Sequence, residues 1–391
     1  MNTHWLYLSP KTFLFIDRYK LLLYNSKEYK YLEIDNNAFI NYLYDHMNIL
    51  ENLYCIEISE QNFLLHNKIF KAIIDNGFGD YKQATIEDRP VSFMPICKIH
   101  KDMSSIKADY KESQAGYILD FLHEITFYLT GEEEGITEYS KQTLYPVQCN
   151  LEIDCFELVR FINILKGACI QNINISCNFK SINKYSAFFE ILKRIGYHVN
   201  FFARINDIIS LSFIPEILKA FQISVIYTGM EKPIENENYN HTFIVTNTQE
   251  LDHALFYQSR LNNLEIVPVY SGNNIDFFTE NIFTTKEDLL SLNLTKREIF
   301  ARKEINTNFF GKFTVFPNGK IYSNTYDKPL GTITDSMYEI LYKELSDGYA
   351  WMLTRDKKAP CSNCRFKYIC PPISCYEFAI NKFNLCHIPC N

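Results

Sequence analysis

The residues best suited to chemistry are cysteines near the carboxyl end of the chain. Six of the twelve cysteines lie from residue 361 onward, as Cys-x2-Cys-x5-Cys followed by three more. Thiolates two residues apart on a turn can bind one metal ion from adjacent directions, and later cysteines can complete the four ligands. The pattern therefore predicts a metal site, with zinc or an iron–sulfur cluster as the alternatives. Its candidate ligands are Cys361, Cys364, Cys370, Cys375, Cys386 and Cys390.

The length, composition and net charge of the chain indicate a globular protein and argue against several kinds of partner. With 391 residues and 47% apolar content, the chain is long enough for two or three domains with large cores. A net charge of -7 without a basic stripe argues against nucleic acid as a partner. No apolar run reaches the ~20 residues that span a membrane. Because no secretory signal is found, we expect a cytoplasmic protein with reduced thiols, whose six scattered cysteines are small buried residues.

Residues 1–82 are predicted to form a small α+β domain, since β-rich runs alternate with helical apolar spacing. The predicted elements are strands over 5–16, 19–25 and 53–59 and helices over 38–47 and 61–76. Residues 83–116 are polar, contain Pro90 and Pro95 and have no sustained period, so they are predicted to be a linker.

Between residues 117 and 304, strands and helices alternate. Such alternation is typical of parallel βαβ units, and six units predict an α/β fold with a partial (β/α)6 TIM-like barrel rather than the closed eight. The predicted strands cover 124–129, 173–177, 198–203, 223–228, 242–245 and 265–269.

The order of elements in residues 1–82 is similar to the winged-helix-like peptide-recognition element of enzymes that modify ribosomally made peptides. In that element a leader peptide adds as a strand at the sheet edge and packs on a helix. The resemblance implies a groove between the strand from residue 53 and the helix from residue 61. Its implied peptide-binding residues are Leu53, Tyr54, Ile56 and Ile58. The alternative is a small domain that only packs on its neighbour.

Residues 305–391 begin with a hairpin over 313–322, whose turn contains Gly319, and continue through a helix over 336–345 to the cysteines. This segment resembles the SPASM domain of radical SAM peptide maturases, which binds auxiliary 4Fe-4S clusters. Asn324 stands where the family has an upstream cysteine, which implies that only one cluster is kept. The implied ligands are Cys361, Cys364, Cys370 and Cys386, with Cys390 and then Cys375 as alternatives. Zinc bound by four cysteines remains the alternative to the cluster.

The predicted barrel lacks the residues that a radical SAM enzyme needs. The family has Cys-x3-Cys-x2-Cys after the first barrel strand, and no cysteine occurs there in this chain. The same spacing falls on Glu133, Thr137 and Ser140, which would not hold an iron–sulfur cluster as thiolates do. The family's Gly-Gly-Glu segment is also absent near residues 175–180. SAM is therefore an unlikely cofactor on this resemblance, and we expect no SAM cleavage.

Together these segments resemble pseudo-radical-SAM proteins with a SPASM domain, found beside true radical SAM maturases in ribosomal peptide (RiPP) systems with double-glycine leaders. The resemblance implies a non-catalytic accessory protein that binds a precursor peptide, a partner maturase, or both. Two alternatives stay open: an enzyme that uses the single auxiliary cluster for redox chemistry or substrate binding, and a zinc-stabilised interaction scaffold. The sequence identifies neither the peptide nor its modification.

Overall fold

The computed structural model describes residues 3–17, 19–35, 37–47, 49–83, 89–95, 116–130, 137–147, 151–211, 215–347 and 350–388. These residues form a mixed α/β fold whose main sheet has nine strands, most of them parallel. Among them, no helix combines the length and the apolar character needed to cross a membrane.

The first elements form two antiparallel three-stranded sheets, and residues 3–83 are termed the N-terminal region. Its elements are β1 (Thr3–Leu8), β2 (Thr12–Ile16), β3 (Lys20–Asn25), β4 (Lys30–Asp35), α1 (Ala38–Met47), β5 (Cys55–Ser59), α2 (Glu60–Leu65), α3 (Asn67–Asp75) and β6 (Gly79–Gln83). The strand orders are β5–β1–β6 and β2–β3–β4. Both sheets share one core with α1 and α3, which contribute Phe39, Leu43, Phe70 and Ile73.

Three predictions for this part of the chain need correction. The strand predicted over 5–16 is two strands in different sheets, because the chain turns at Pro10 and Thr12 N donates to Ser9 O at 2.9 Å. The helix predicted over 61–76 is two helices, since His66 leaves helical geometry at φ -107° and ψ 20°. Part of the predicted linker also packs on the N-terminal region. Ser92 in that part is buried and donates from its hydroxyl to Leu8 O at 2.5 Å.

The six strands predicted for this part of the chain all occur, and each of them except β10 is followed by helical segments. The strands are β7 (Glu124–Tyr128), β8 (Asn172–Ser176), β9 (His198–Arg204), β10 (Gln222–Thr228), β11 (Tyr239–Val245) and β12 (Leu264–Pro268). The helices of this part are α4 (Gly116–Leu119), α5 (Glu138–Gln142), α6 (Cys155–Ile164), α7 (Ser186–Ile195), α8 (Ile205–Ile209), α9 (Thr248–Gln258), α10 (Ile275–Asn281), α11 (Lys286–Ser291) and α12 (Lys296–Glu304).

The main sheet continues past the boundary predicted at residue 305. The remaining elements are β13 (Lys312–Val315), β14 (Lys320–Tyr322), β15 (Gly331–Thr332), α13 (Met337–Asp347) and α14 (Cys375–Ile380). The strand order is β12–β11–β10–β9–β8–β7–β13–β14–β15. Every pairing from β12 to β13 is parallel, whereas β13–β14 and β14–β15 are antiparallel. The predicted hairpin is therefore β13–β14, and it extends the main sheet beside β7.

The backbone just before β13 packs so closely on the segment before β7 that position 311 must be glycine. Gly311 has φ +76°, and a Cβ there would lie 2.6 Å from His123 Cδ2 and 2.8 Å from Phe121 O. Its carbonyl accepts hydrogen bonds from the backbone N–H groups of His123 and Glu124. Only glycine tolerates this conformation and this distance, so Gly311 lets β13 join β7.

Candidate metal centre

Four of the predicted ligands line one small cavity. Cys361, Cys364, Cys370 and Cys386 surround a space of about 20 Å³, together with Arg355 and several apolar side chains. A cavity of that size has room for roughly one ion or water molecule. The four residues implied by the SPASM resemblance are thus neighbours in space.

Tight turns position the first three cysteines. Cys361 opens a single 3-10 turn, and the backbone N–H of Cys364 donates to Cys361 O at 2.9 Å. The N–H of Cys370 donates to Phe366 O at 2.7 Å, which closes a second turn. Pro371 and Pro372 follow, and their fixed φ leads the chain stiffly away from the cavity.

Cys386 reaches the cavity from a segment that is held by the loop between α10 and α11. Thr284 N donates to Leu385 O at 3.1 Å, and His387 N donates to Thr284 O at 3.0 Å. This short parallel bridge fixes the backbone on both sides of Cys386.

The sulfur atoms do not converge on one point. Cys361 Sγ donates to Phe383 O at 3.1 Å, and Cys386 Sγ donates to Ile388 O at 3.8 Å. Cys364 Sγ accepts from Phe366 N at 3.4 Å. Within the stretches that the structure describes, no three His, Cys, Asp or Glu side chains stand close enough to hold one metal ion. The backbone therefore gathers the four cysteines, and metal binding would require their side chains to rotate inward.

Burial keeps two of these cysteines protonated at neutral pH. Desolvation raises the pKa of Cys370 to about 12 and raises that of Cys361, although the cationic Arg355 partly opposes both shifts. Metal ions bind thiolates, so binding at this cavity would release protons and would be favoured by higher pH.

Arg355 connects the segments that carry the cysteines. Its guanidinium pairs with the buried Glu377 through Nη1 to Oε1 at 3.0 Å and Nη2 to Oε2 at 3.2 Å. It also donates to Phe383 O at 2.9 Å, to Pro371 O, and to Cys361 Sγ at 3.7 Å. Burial opposes the charge, but Cys370 and Glu377 outweigh burial and raise the pKa of Arg355 above its ordinary value.

The donor set fits a thiolate-bound metal centre. The four cysteines line one cavity beside Arg355, and Arg302 donates to Ile369 O and interacts electrostatically with Cys370. Two cations reduce the cost of gathering four negative sulfur atoms. Neither arginine was predicted, because nothing in the sequence distinguishes them from surface arginines.

The two alternative ligands lie elsewhere. Cys375 begins α14 and packs against the large core of the main sheet, outside the cavity. Burial raises the pKa of its thiol to about 11. Cys390 lies outside the described residues, so its distance from the cavity stays untested.

The loop after β7 holds hydroxyl groups that bond to each other. Thr137 N donates to Ser140 Oγ at 2.9 Å, and Ser140 N donates to Thr137 Oγ1 at 3.3 Å, which forms a capping box at the start of α5. Glu138 on α5 also accepts from Tyr326 Oη at 2.9 Å. Glu133 lies outside the described residues. Thr137 and Ser140, two of the three positions that the predicted alignment matches to the family's cluster cysteines, therefore cap α5.

A larger cavity of about 750 Å³ opens at the carboxyl ends of β7, β8 and β9, where partial and closed barrels place their active sites. Cys177, Asn178 and Lys180, from the segment where the family would have Gly-Gly-Glu, line it together with Asp207. Burial raises the pKa of Cys177 to about 12, so this thiol is not a ready nucleophile.

The structure buries the side chains predicted to bind a peptide. Tyr54, Ile56 and Ile58 are only 1–3% exposed and point into the core of the N-terminal region, while Leu53 is half-buried. Period-two alternation puts Ile56 and Ile58 on the core face of β5, and Tyr54, just before the strand, donates from its buried hydroxyl to Thr12 O at 2.8 Å. They cannot contact a bound peptide, and only the backbone of β5 could do so.

The outer edge of β5 is partly occupied as well. Cys55 O accepts from Arg89 Nη2 at 3.2 Å, and Glu57 O accepts from Tyr42 Oη at 2.5 Å. Side chains therefore already use two carbonyl groups that an added strand would need.

The chain was compared with protein-family models, curated proteins and solved structures, and only solved structures matched. No family model and no curated protein matches the chain. Two solved structures of Streptococcus suis SuiB are similar over 98% of this chain and 100% of theirs, at 11% identity. SuiB bound to S-adenosylmethionine gives a TM-score of 0.43, and SuiB bound to the precursor peptide SuiA gives 0.45. At such low identity and TM-score, these likenesses transfer neither ligand nor function to this chain.

Proposed function

We propose that the chain is an accessory protein of ribosomal peptide maturation that binds a precursor peptide, a partner radical SAM maturase, or both, without cleaving SAM. The proposal rests on the motifs that resemble pseudo-radical-SAM SPASM proteins. The observation that carries it is the capping box of Thr137 and Ser140. Two positions of the predicted cluster register hold hydroxyl groups that are bonded to each other and to the backbone of α5.

The second element of the proposal is a metal centre at the carboxyl end. Cys361, Cys364, Cys370 and Cys386 would hold it, since they line one cavity beside Arg355. A bound zinc ion or iron–sulfur cluster would link the turns of the first three cysteines to the segment of Cys386. Cross-linking segments that lack regular secondary structure is the usual contribution of a structural metal site. In this proposal the cysteines stabilise the fold and do not act on a substrate.

The third element is a peptide-binding edge, which we place on β6 instead of β5. Just before β6, Phe78 O accepts from Ser9 N at 2.8 Å, which sets the hydrogen-bonding pattern of the antiparallel pair β1–β6. The main-chain N–H and C=O groups of every second residue from there, Asp80 and Lys82, therefore point towards β1. The main-chain groups of Tyr81 then point away from the sheet. Among the described residues no further strand pairs with β6, and α3 lies beside it. An extended peptide could therefore add as a fourth strand at this edge.

A proline at Tyr81 tests this edge. Because the N–H of Tyr81 faces away from β1 and donates only to Asp80 Oδ1 at 2.8 Å, the Tyr81→Pro variant should keep the sheet intact. We expect it to weaken binding of fluorescein-labelled, co-encoded precursor peptides about tenfold or more in anisotropy titrations, through the lost donor and the proline ring.

Tyr81→Thr is the matched control, since it keeps the N–H and a strand-forming side chain. It should bind within about threefold of the original chain, a difference below 1 kcal/mol. If the proline variant bound the peptides as tightly as the original chain, the peptide-binding site would not lie at the edge of β6. If the original chain bound neither these peptides nor the co-encoded maturase, the proposed function would be wrong.

A further inference from the structure

We propose that metal binding by the cysteine segment controls how the N-terminal region docks on the rest of the protein. The inference rests on the proposed metal centre and adds a regulatory role to it. It starts from β3, the central strand of the sheet β2–β3–β4, which is buried on both faces. Leu21 and Leu23 of β3 pack in the core of the N-terminal region, whereas Leu22 and Tyr24 pack in a different cluster. All four are at most 2% exposed.

In the second cluster, the N-terminal sheet packs on the cysteine turns and on the stretch from Leu289 to Phe300. This cluster joins Leu22, Tyr24 and Phe13 of the N-terminal sheet to Phe366 and Ile369, which lie between Cys364 and Cys370. The rings of Phe15 and Tyr368 are 5.8 Å apart in the same contact. Residues 364–370, termed the cysteine segment, therefore form part of the surface on which the N-terminal sheet packs.

Polar contacts fix the same interface. Arg365, the neighbour of Cys364, pairs with Glu33 of β4 at 2.5 Å and with Asp35. Arg365 and Glu33 are each 13% exposed, so this ion pair is better shielded than a surface pair. Tyr24 Oη accepts from Leu294 N at 2.8 Å and can donate to Leu294 O at 3.1 Å.

The cysteine segment thus takes part in both the metal cavity and the interface. Cys364, Phe366 and Cys370 line the cavity, and Phe366 also packs with Ile369 in the cluster that holds the N-terminal sheet. Arg365 pairs with Glu33 of β4. The segment contains no regular helix or strand, and its backbone is held by turn bonds such as Cys370 N to Phe366 O. A metal bound by both cysteines would fix its shape, and with it the docking surface. Loss of the metal would release the N-terminal sheet.

Hydrogen exchange measured by mass spectrometry on the full chain tests this coupling. Metal-loaded protein is compared with protein treated with a chelator, and metal content is measured in the same samples. We expect metal removal to speed amide exchange in β3, Lys20–Asn25, about tenfold or more, with no change in β8, Asn172–Ser176. The metal-loaded Arg365→Glu variant should show the same increase in β3.

Arg194→Glu is the matched control, because it makes the same charge change at an exposed position of α7, and it should leave β3 exchange unaltered. Unchanged β3 exchange after metal removal would overturn the inference, as would an equal increase in β8. Unaltered β3 exchange in Arg365→Glu would overturn it too. A chain that takes up no metal would instead overturn the proposed metal centre, and the metal analysis identifies that outcome.

Discussion

Replacing Cys370 with serine is expected to remove nearly all metal from the purified protein. The Cys370 thiol lines the cavity with three other cysteines, and a serine hydroxyl does not replace a thiolate ligand of zinc or of an iron–sulfur cluster. Because a structural metal contributes its binding free energy to folding, the melting temperature should fall together with the metal content. Atomic emission spectroscopy and thermal unfolding of anaerobically purified protein measure both quantities.

Cys375→Ser is the matched control for that substitution. Cys375 is a half-buried cysteine close by in the sequence, but it packs on the main core and does not line the cavity. This variant should keep its metal and lose only the modest stability that a polar atom in a packed site costs, roughly 1–3 kcal/mol. Equal metal loss in the two variants would show that the ligand set is wrong.

Replacing Arg355 with glutamine is expected to destabilise the folded chain by about 3–5 kcal/mol, because the buried carboxyl group of Glu377 would lose the cation that pairs with it. Glu377 is 1% exposed, and both of its carboxylate oxygens accept from Arg355. Urea unfolding in the presence of a chelator measures this loss separately from any effect on metal binding.

The double variant Arg355→Gln/Glu377→Gln serves as its control. A glutamine at residue 377 can still bond to the N–H of Ser374 in the capping box that begins α14. It should regain a large part of the lost stability, since no uncompensated charge stays buried. A double variant as unstable as Arg355→Gln alone would show that Arg355 acts through its carbonyl contacts and not through the ion pair.

Local patterns in the sequence predicted the barrel strands better than the elements before them. β10 contains a short run rich in β-branched residues, and β8 alternates isoleucine with polar residues. The alternation of such strands with helical patterns predicted a parallel sheet. The first sixteen residues carry no comparable break except Pro10, so two strands of different sheets were predicted as one. That β13 would extend the barrel sheet beside β7 depends on a long-range pairing, which no local pattern contains.

The candidate site was predictable only in part for the same reason. Spacing and the SPASM resemblance together selected four cysteines that the fold brings to one cavity. The roles of Arg355 and Glu377 depend on their burial and on their ion pair, which the sequence does not show. At β5 the alternation of Tyr54, Ile56 and Ile58 already indicated one buried face, and the resemblance to a peptide-binding strand was followed instead. An alternating apolar set on a strand is better evidence for a core than for a binding surface.

Formation of 5′-deoxyadenosine is the measurement that tests the central claim most directly. The full chain, purified without oxygen and reconstituted with iron and sulfide, is incubated with SAM and dithionite, and the product is quantified by mass spectrometry. The account predicts no more 5′-deoxyadenosine than in the protein-free control, because Thr137 and Ser140 cap a helix where thiolate ligands would be required. Formation that depends on the protein and exceeds one equivalent per chain would contradict it.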